Sequence, residues 1–413
     1  MPTTLDVDPL DLVDPERHQR NGVPHDQLAR LRAEAPVTYF EPPGFPPFWA
    51  VTRHADIVRA AAQPLVFSSA KGITLDRAEE EALSMEGFES LVMMDPPEHT
   101  KLRQVANSEF LRSAVRARFE HIGRIARQIV DDAATGGEVV ECDFVSTFAG
   151  RLPVEVIAWV LGVADIDWER LLRASDTIIG KEDPEFRLPG ESPDDAGMRA
   201  RIELHQYFDA MVDERRRRPQ QDLVTLLTQR EIDGKPLTQR QLVSYCELLL
   251  EAGNETTRDA IASAMEAFCQ HRDQWDLLRE SPQLLPNAVE EILRWVSPIN
   301  YFRRTATQDC ELGGEQIRAG DKVVLFWVSA NRDEEVFENP LAFRIDRDHN
   351  QHLVFGFGPH LCMGAHLARA ELEQMFAILP SRMSWFEAAG PVERLNSSIN
   401  GAIKHLPLRY RLV

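Results

Sequence analysis

Four groups of residues in this sequence could do chemistry, each through its own spacing. The first is a single cysteine in FGFGPHLCMG, Phe355 to Gly364, with no second cysteine nearby to pair with it. It precedes the strongly helical MGAHLARAELEQMFAIL, so the sulfur falls at a helix N-terminus, where free N–H groups and the macrodipole favour a thiolate. Gly356, Gly358 and Gly364 allow sharp turns and the close approach of a flat group that a Cβ would block. N–H groups aimed at the sulfur would also tune a bound metal's potential. The second group is EAGNETTR, with Glu255 beside Thr256 midway along a helical pattern. Gly253 is unfavourable there by roughly 1 kcal/mol relative to alanine. Taken alone, it is a helix whose threonines bond back to carbonyls. The third is EEILR, which makes Glu291 and Arg294 an i,i+3 pair. The fourth is MDPPEHTKLR, in which His99 and Arg103, four apart, share one helix face.

The elements that must position these groups are mostly helical. Periodicity predicts helices at RFEHIGRIARQIVDDAA, RARIELHQYFDAMVDERRRR and LLPNAVEEILRWV. LTQRQLVSYCELLLEAGNETTRDAIASAMEAFCQ exceeds 25 residues if unbroken, long for a globular helix. Proline-rich FEPPGFPPF reads as a turn, and WAVTRHADIVRAAAQ as a strand followed by a helix. Residues 68–94 and 181–195 read as long loops, DKVVLFWVSA as a late strand, and GAIKHLPLRYRLV as loosely alternating.

The whole is mainly α with a minor β region, read as one domain over 1–413, although the length alone allows two or three. No uncharged apolar run approaches the roughly 20 residues that span a bilayer. The N-terminal stretch, acidic and proline-containing, lacks the basic and apolar regions of a signal peptide. Five scattered cysteines without a CxxC argue against a disulfide framework or a zinc site and fit a reducing cytosol. A net charge of -20, from 66 acidic and 46 basic residues, argues against nucleic acid, whose binders neutralise phosphates. An acidic partner would need a local basic patch.

F-x-x-G-x-x-x-C-x-G, matched by Phe355, Gly358, Cys362 and Gly364, resembles the haem-binding signature of the cytochrome P-450 family. The resemblance implies haem b (iron protoporphyrin IX) with Cys362 as the axial thiolate, whose electron donation favours O–O cleavage. The cysteine is then alone because the metal comes with the porphyrin. Ala252, Gly253, Asn254, Glu255, Thr256 and Thr257 match the family's (A/G)-G-x-(D/E)-T-(T/S). This implies a groove for dioxygen at Ala252–Gly253 and proton relay by Glu255 and Thr256. Glu291 and Arg294, joined by Arg347 of FENPLAFRIDR, resemble the family's buried ion-pair network, a structural role. His99, Arg103, Arg304 and His360 resemble the residues that hold haem propionates.

The family's triangular helical fold with small antiparallel sheets follows as an expectation. So does a soluble, cytoplasmic, monomeric, bacterial-type monooxygenase that inserts one atom of dioxygen into a C–H bond. A peroxide-driven peroxygenase and a haem sensor without turnover stay open, the first opposed by the intact Glu255–Thr256 pair. Expected pocket walls are the 70–93 loop, residues 170–200, Leu248, Ala252, Ile299, Asn300, Phe302, Ser398 and Ile399. Their mostly apolar character suits a hydrophobic ligand. AGNETTR and ANRDEEVFENP are similar to members that oxidise steroids or terpenoids, with fatty-acid, aromatic and natural-product substrates also open. The sequence shows no flavin or nicotinamide domain, so the resemblance implies electrons from a ferredoxin and its flavin-dependent reductase. Arg112, Arg116, Arg118 and Arg369 are the basic residues expected to dock it.

Overall fold

The computed structural model describes residues 6–77, 90–164 and 167–413. Helices dominate from Glu98 to Val296, and most strands lie before or after that stretch. The periodic segments form helices at Arg112–Asp132, Pro193–Arg217 and Leu285–Val296. Gln239–Gln270 is one unbroken helix of 32 residues. A capping box fixes its start: Thr238 Oγ1 accepts from the Gln241 N–H at 3.2 Å, and the Thr238 N–H donates to Gln241 Oε1 at 3.0 Å. Its length is sustained by burial on most sides, with Val243, Leu250, Ile261, Met265 and Phe268 fully covered.

Gly253 does not break this helix. A Cβ there would stand 3.2 Å from Ile157 Cγ1, so the glycine lets helix Arg151–Leu161 pack closely.

The larger sheet orders its strands Val37–Phe40, Phe48–Val51, Lys322–Leu325, Phe302–Ala306 and Phe67–Ser68. Its pairs are antiparallel except one, in which Lys322–Leu325 runs parallel to Phe48–Val51. The two strands are far apart in sequence, which gives room for the long crossover a parallel pair needs. The strand in DKVVLFWVSA ends at Leu325, and Trp327–Ala330 is a helical turn. The C-terminal alternation becomes strand Pro407–Leu412, with Leu408, Tyr410 and Leu412 buried. It lies between Met383–Ala388 and Val140–Asp143. Where described, 68–94 holds only a strand end and a 3-10 turn, Leu91–Met93, and much of the expected 70–93 pocket wall lies outside the described residues. The 181–195 loop joins helices Trp168–Ile179 and Pro193–Arg217 through one 3-10 turn, Pro184–Phe186.

Candidate active site around Cys362

Cys362 sits between the 3-10 turn Gly358–His360 and the helix Ala365–Arg382. Its N–H donates to the Phe355 carbonyl at 2.8 Å, closing the loop. Gly356 and Gly358 have φ of +73° and +72°, and a Cβ on Gly358 would meet the Ala61 carbonyl oxygen at 2.7 Å. Gly364 has an ordinary φ, and a Cβ on it would stand 3.9 Å from the sulfur. Cys362 lies deep within the protein but is open on one side. Burial pushes its thiol up, against the Gly364 N–H and the Arg103 and Arg369 charges. A metal held by the sulfur would offset this burial, because coordination deprotonates a thiol outright.

Four basic side chains crowd the same loop. His99, on helix Glu98–Asn107, lies with its ring 4.2 Å from that of His360. His99 Nδ1 and His360 Nε2 are buried without a hydrogen-bond partner. Burial, Arg304, His99 and Arg103 together push His360 down to about 3. Arg304, buried on strand Phe302–Ala306, donates from Nη1 to the Arg303 carbonyl at 2.9 Å, and burial lowers it to about 10. Among the described residues neither Arg103 nor Arg304 forms an ion pair. Positive charge and unspent donors concentrated beside a thiol fit a thiolate-ligated group that carries carboxylates.

The long helix borders this site. The Tyr245 hydroxyl donates to Met363 Sδ at 3.7 Å. Ala252 and Thr256 follow Tyr245 by seven and eleven positions, which places each within about 20° of Tyr245 around the helix. Ala252 is exposed and Thr256 half-buried on that face. The Thr256 hydroxyl donates to the Ala252 carbonyl at 2.9 Å, the back-bond that a threonine makes in any helix. Glu255 is turned about 100° away. It pairs with Arg258, and Arg258 Nη1 bonds Asp176 at 2.7 Å. Burial pushes Glu255 up, against the Arg258 charge. The acid and alcohol are thus neighbours in sequence but not bonded to each other. The Arg258–Asp176 link was invisible in sequence, because Asp176 comes from helix Trp168–Ile179.

The two expected pocket turns do meet. The Asn300 N–H donates to the Ile399 carbonyl at 2.7 Å, and Asn300 Nδ2 to the Ser398 carbonyl at 2.9 Å. The Tyr301 and Ser398 hydroxyls bond at 3.0 Å. Asn300 and Ser398 are buried, whereas Ile299, Phe302, Ile399 and Leu248 keep partial exposure. The open surface is therefore apolar.

Glu291, Arg294 and Arg347 form a closed network. Arg294 Nε and Nη2 reach Glu291 at 2.7 Å each, and Arg347 Nε reaches Glu291 at 2.9 Å. Carbonyls of Asn331, Pro340 and Ala342 take the remaining Arg294 donors. Such satisfaction is what a buried charge requires.

The expected docking arginines divide. Arg112 and Arg116 are exposed on the first turns of helix Arg112–Asp132, which packs on the cysteine helix. Arg118 bonds Glu109 at 2.5 Å. Arg369 is a correction, since its guanidinium bonds Glu290 at 2.6 and 2.8 Å and lies 4.5 Å from the Phe355 ring centroid. It braces the cysteine loop from behind.

The family model described as Cytochrome P450 matches residues 191–405. The linalool 8-monooxygenase of Pseudomonas putida is 36% identical over 403 residues, covering 96% of this chain and 97% of that one. The steroid C26-monooxygenase of Rhodococcus jostii is 36% identical over 414 residues, covering 97% and 85%. A Mycobacterium marinum cytochrome P450 solved in complex with pseudoionone superposes with a TM-score of 0.85 at 37% identity, covering 93% and 94%. No described helix is long and apolar enough to cross a membrane. The chain belongs to the cytochrome P450 family, is a monooxygenase of that family, and takes the family's haem-thiolate cofactor.

Proposed function

We propose that the enzyme hydroxylates a hydrophobic small molecule, a steroid or terpenoid, using dioxygen and electrons from a ferredoxin and its flavin-dependent reductase. The carrying observation is the gathering of His99, Arg103, Arg304 and His360, with unspent donors, beside the Cys362 loop. In this reading Cys362 ligates haem b, and the four basic groups hold its propionates. When bound, the haem supplies dioxygen activation and C–H oxidation.

The protein's part is to orient and to move protons. Glu255 stores a proton beside Arg258, and Thr256 presents its hydroxyl on the face shared with Ala252. Leu248, Ile299, Phe302 and Ile399 offer apolar walls with few polar handles, which favours a ligand held mainly by burial. The relatives named for linalool and for steroids point the same way. Arg112 and Arg116 form the docking patch, Glu291, Arg294 and Arg347 are structural, and 1–413 acts as one cytoplasmic, monomeric domain.

A spectral titration with steroids, terpenoids and fatty acids, followed by product analysis with ferredoxin and reductase, tests the proposal. Tight spectral binding and hydroxylated product are expected from the first two classes. Turnover of fatty acids alone would contradict the substrate class, and product formed only with peroxide would contradict the electron supply.

A further inference from the structure

The long helix carries an acidic residue at every fourth position on the way to Thr256: Glu247, Glu251 and Glu255. Residues four apart stack on one helix face, each about 6 Å further along the axis. That face meets helices Pro193–Arg217 and Trp168–Ile179. Glu247 Oε1 lies 3.2 Å from His205 Nδ1, and Glu251 Oε1 lies 3.8 Å from Arg201 Nη1. Arg201 and His205 are themselves four apart in the opposite order, so the two helices run antiparallel and present matching rungs. At the third rung Glu255 pairs with Arg258, and Arg258 with Asp176.

The outer end of this series is open and the inner end is closed. The His205 side chain is 53% exposed, and that of Glu247 only 2%. Glu251 Oε1 and Glu255 Oε1 are buried without a hydrogen-bond partner, as are both polar atoms of the intervening Asn254 amide. Lone pairs and donors left unspent at this spacing are what a bridging water needs, at two or more per water. Burial pushes Glu247 and Glu251 each up to about 7, with the Arg201 charge opposing. Each carboxyl therefore populates both protonation states near neutrality.

We propose that Glu247 and Glu251 are positioning residues of a proton conduit, which leads from solvent at His205 along the long helix to Glu255 and Thr256. The proposal rests on the reading of Glu255 and Thr256 given above. One proton is taken from solvent at His205 or Glu247 for each proton that Glu255 passes toward Thr256. Every carboxyl returns to its starting state, and no electron moves along the series. Glu251 acts through Glu255, and Glu247 acts through Glu251.

The test uses the full-length haem-loaded enzyme with Glu247→Gln, Glu251→Gln and Glu251→Asp, variants that keep size or charge. The first readout is the infrared carbonyl band of protonated carboxyls, taken as the difference between about pH 6 and about pH 8. The second is the solvent deuterium isotope effect on product formation. Each glutamine variant should lose part of the band. Product formation should fall about tenfold, below the roughly hundredfold loss typical of a directly acting acid. The isotope effect should rise, KM and the substrate-binding spectrum should hold, and Glu251→Asp should restore much of the rate. A band left intact in both glutamine variants, or isotope effects equal to wild type, would overturn the conduit. Failure of the underlying reading looks different: Thr256→Ala would leave coupling unchanged while the infrared band still responded. The conduit would then have no recipient and would fall with that reading.

Discussion

At the scale of single residues, direction decides function as much as identity does. Glu255 and Thr256 were legible as an acid–alcohol pair, but sequence adjacency concealed that they point about 100° apart. Thr256 already donates to the Ala252 carbonyl, so its oxygen presents lone pairs to whatever occupies the site. Removing that oxygen removes an ordered acceptor and donor at the place where protons are needed. Thr256→Ala should keep its haem and substrate spectrum while product formed per reductant falls by about tenfold, the excess reductant appearing as peroxide. Unchanged coupling with a well-bound substrate would exclude Thr256 from proton delivery. Arg369 teaches the same lesson. Its position after Cys362 suggested a free surface cation, yet its partner, Glu290, lies 79 residues away and gave no local signal.

At the scale of elements, the helix Leu285–Val296 holds two parts of the molecule with consecutive acids. Glu291 turns inward to Arg294 and Arg347, while Glu290 turns to Arg369 and His352 and so to the cysteine loop. The first half was readable from the i,i+3 spacing. The second was not, because its partners come from distant segments. Burial would raise the Glu290 carboxyl, but hydrogen bonds from Arg369 and His352 outweigh it and bring it from 4.5 down to about 2. A folded value below the ordinary one means that the contribution is complete above 4.5 and is lost as pH falls toward 2. Glu290→Gln should therefore cost about 2 kcal/mol at neutral pH, and the gap from wild type should narrow as pH drops to about 3. Denaturant unfolding at the two pH values measures it. A gap independent of pH would show that Glu290 acts through shape rather than charge.

At the scale of the whole molecule, most of the helical order was legible, because amphipathic periodicity survives in a large α-rich core. The parallel strand pair and the packing of Gly253 on Ile157 were not, since both depend on which distant element arrives. Net charge of -20 makes docking of another acidic protein a local matter. After Arg118 and Arg369 are assigned to internal pairs, Arg112 and Arg116 remain exposed on the helix that backs the cysteine helix. Replacing either with glutamate should slow ferredoxin-dependent reduction several-fold at low salt and leave substrate-binding spectra unchanged. The difference should shrink as salt rises, because screening shortens to roughly 8 Å at physiological ionic strength. Equal reduction rates for wild type and both variants at limiting ferredoxin would rule out this surface.

The central claim is that Cys362 binds the haem iron through its sulfur, and the spectrum of the reduced carbon monoxide complex tests it most directly. Wild type should show the red-shifted Soret band of thiolate ligation. Cys362→Ser, checked for folding by circular dichroism, should lose that band, because a neutral hydroxyl is a poor donor to iron. A folded, haem-containing Cys362→Ser protein that kept the band would contradict the assignment of the ligand, and with it the reading of the site.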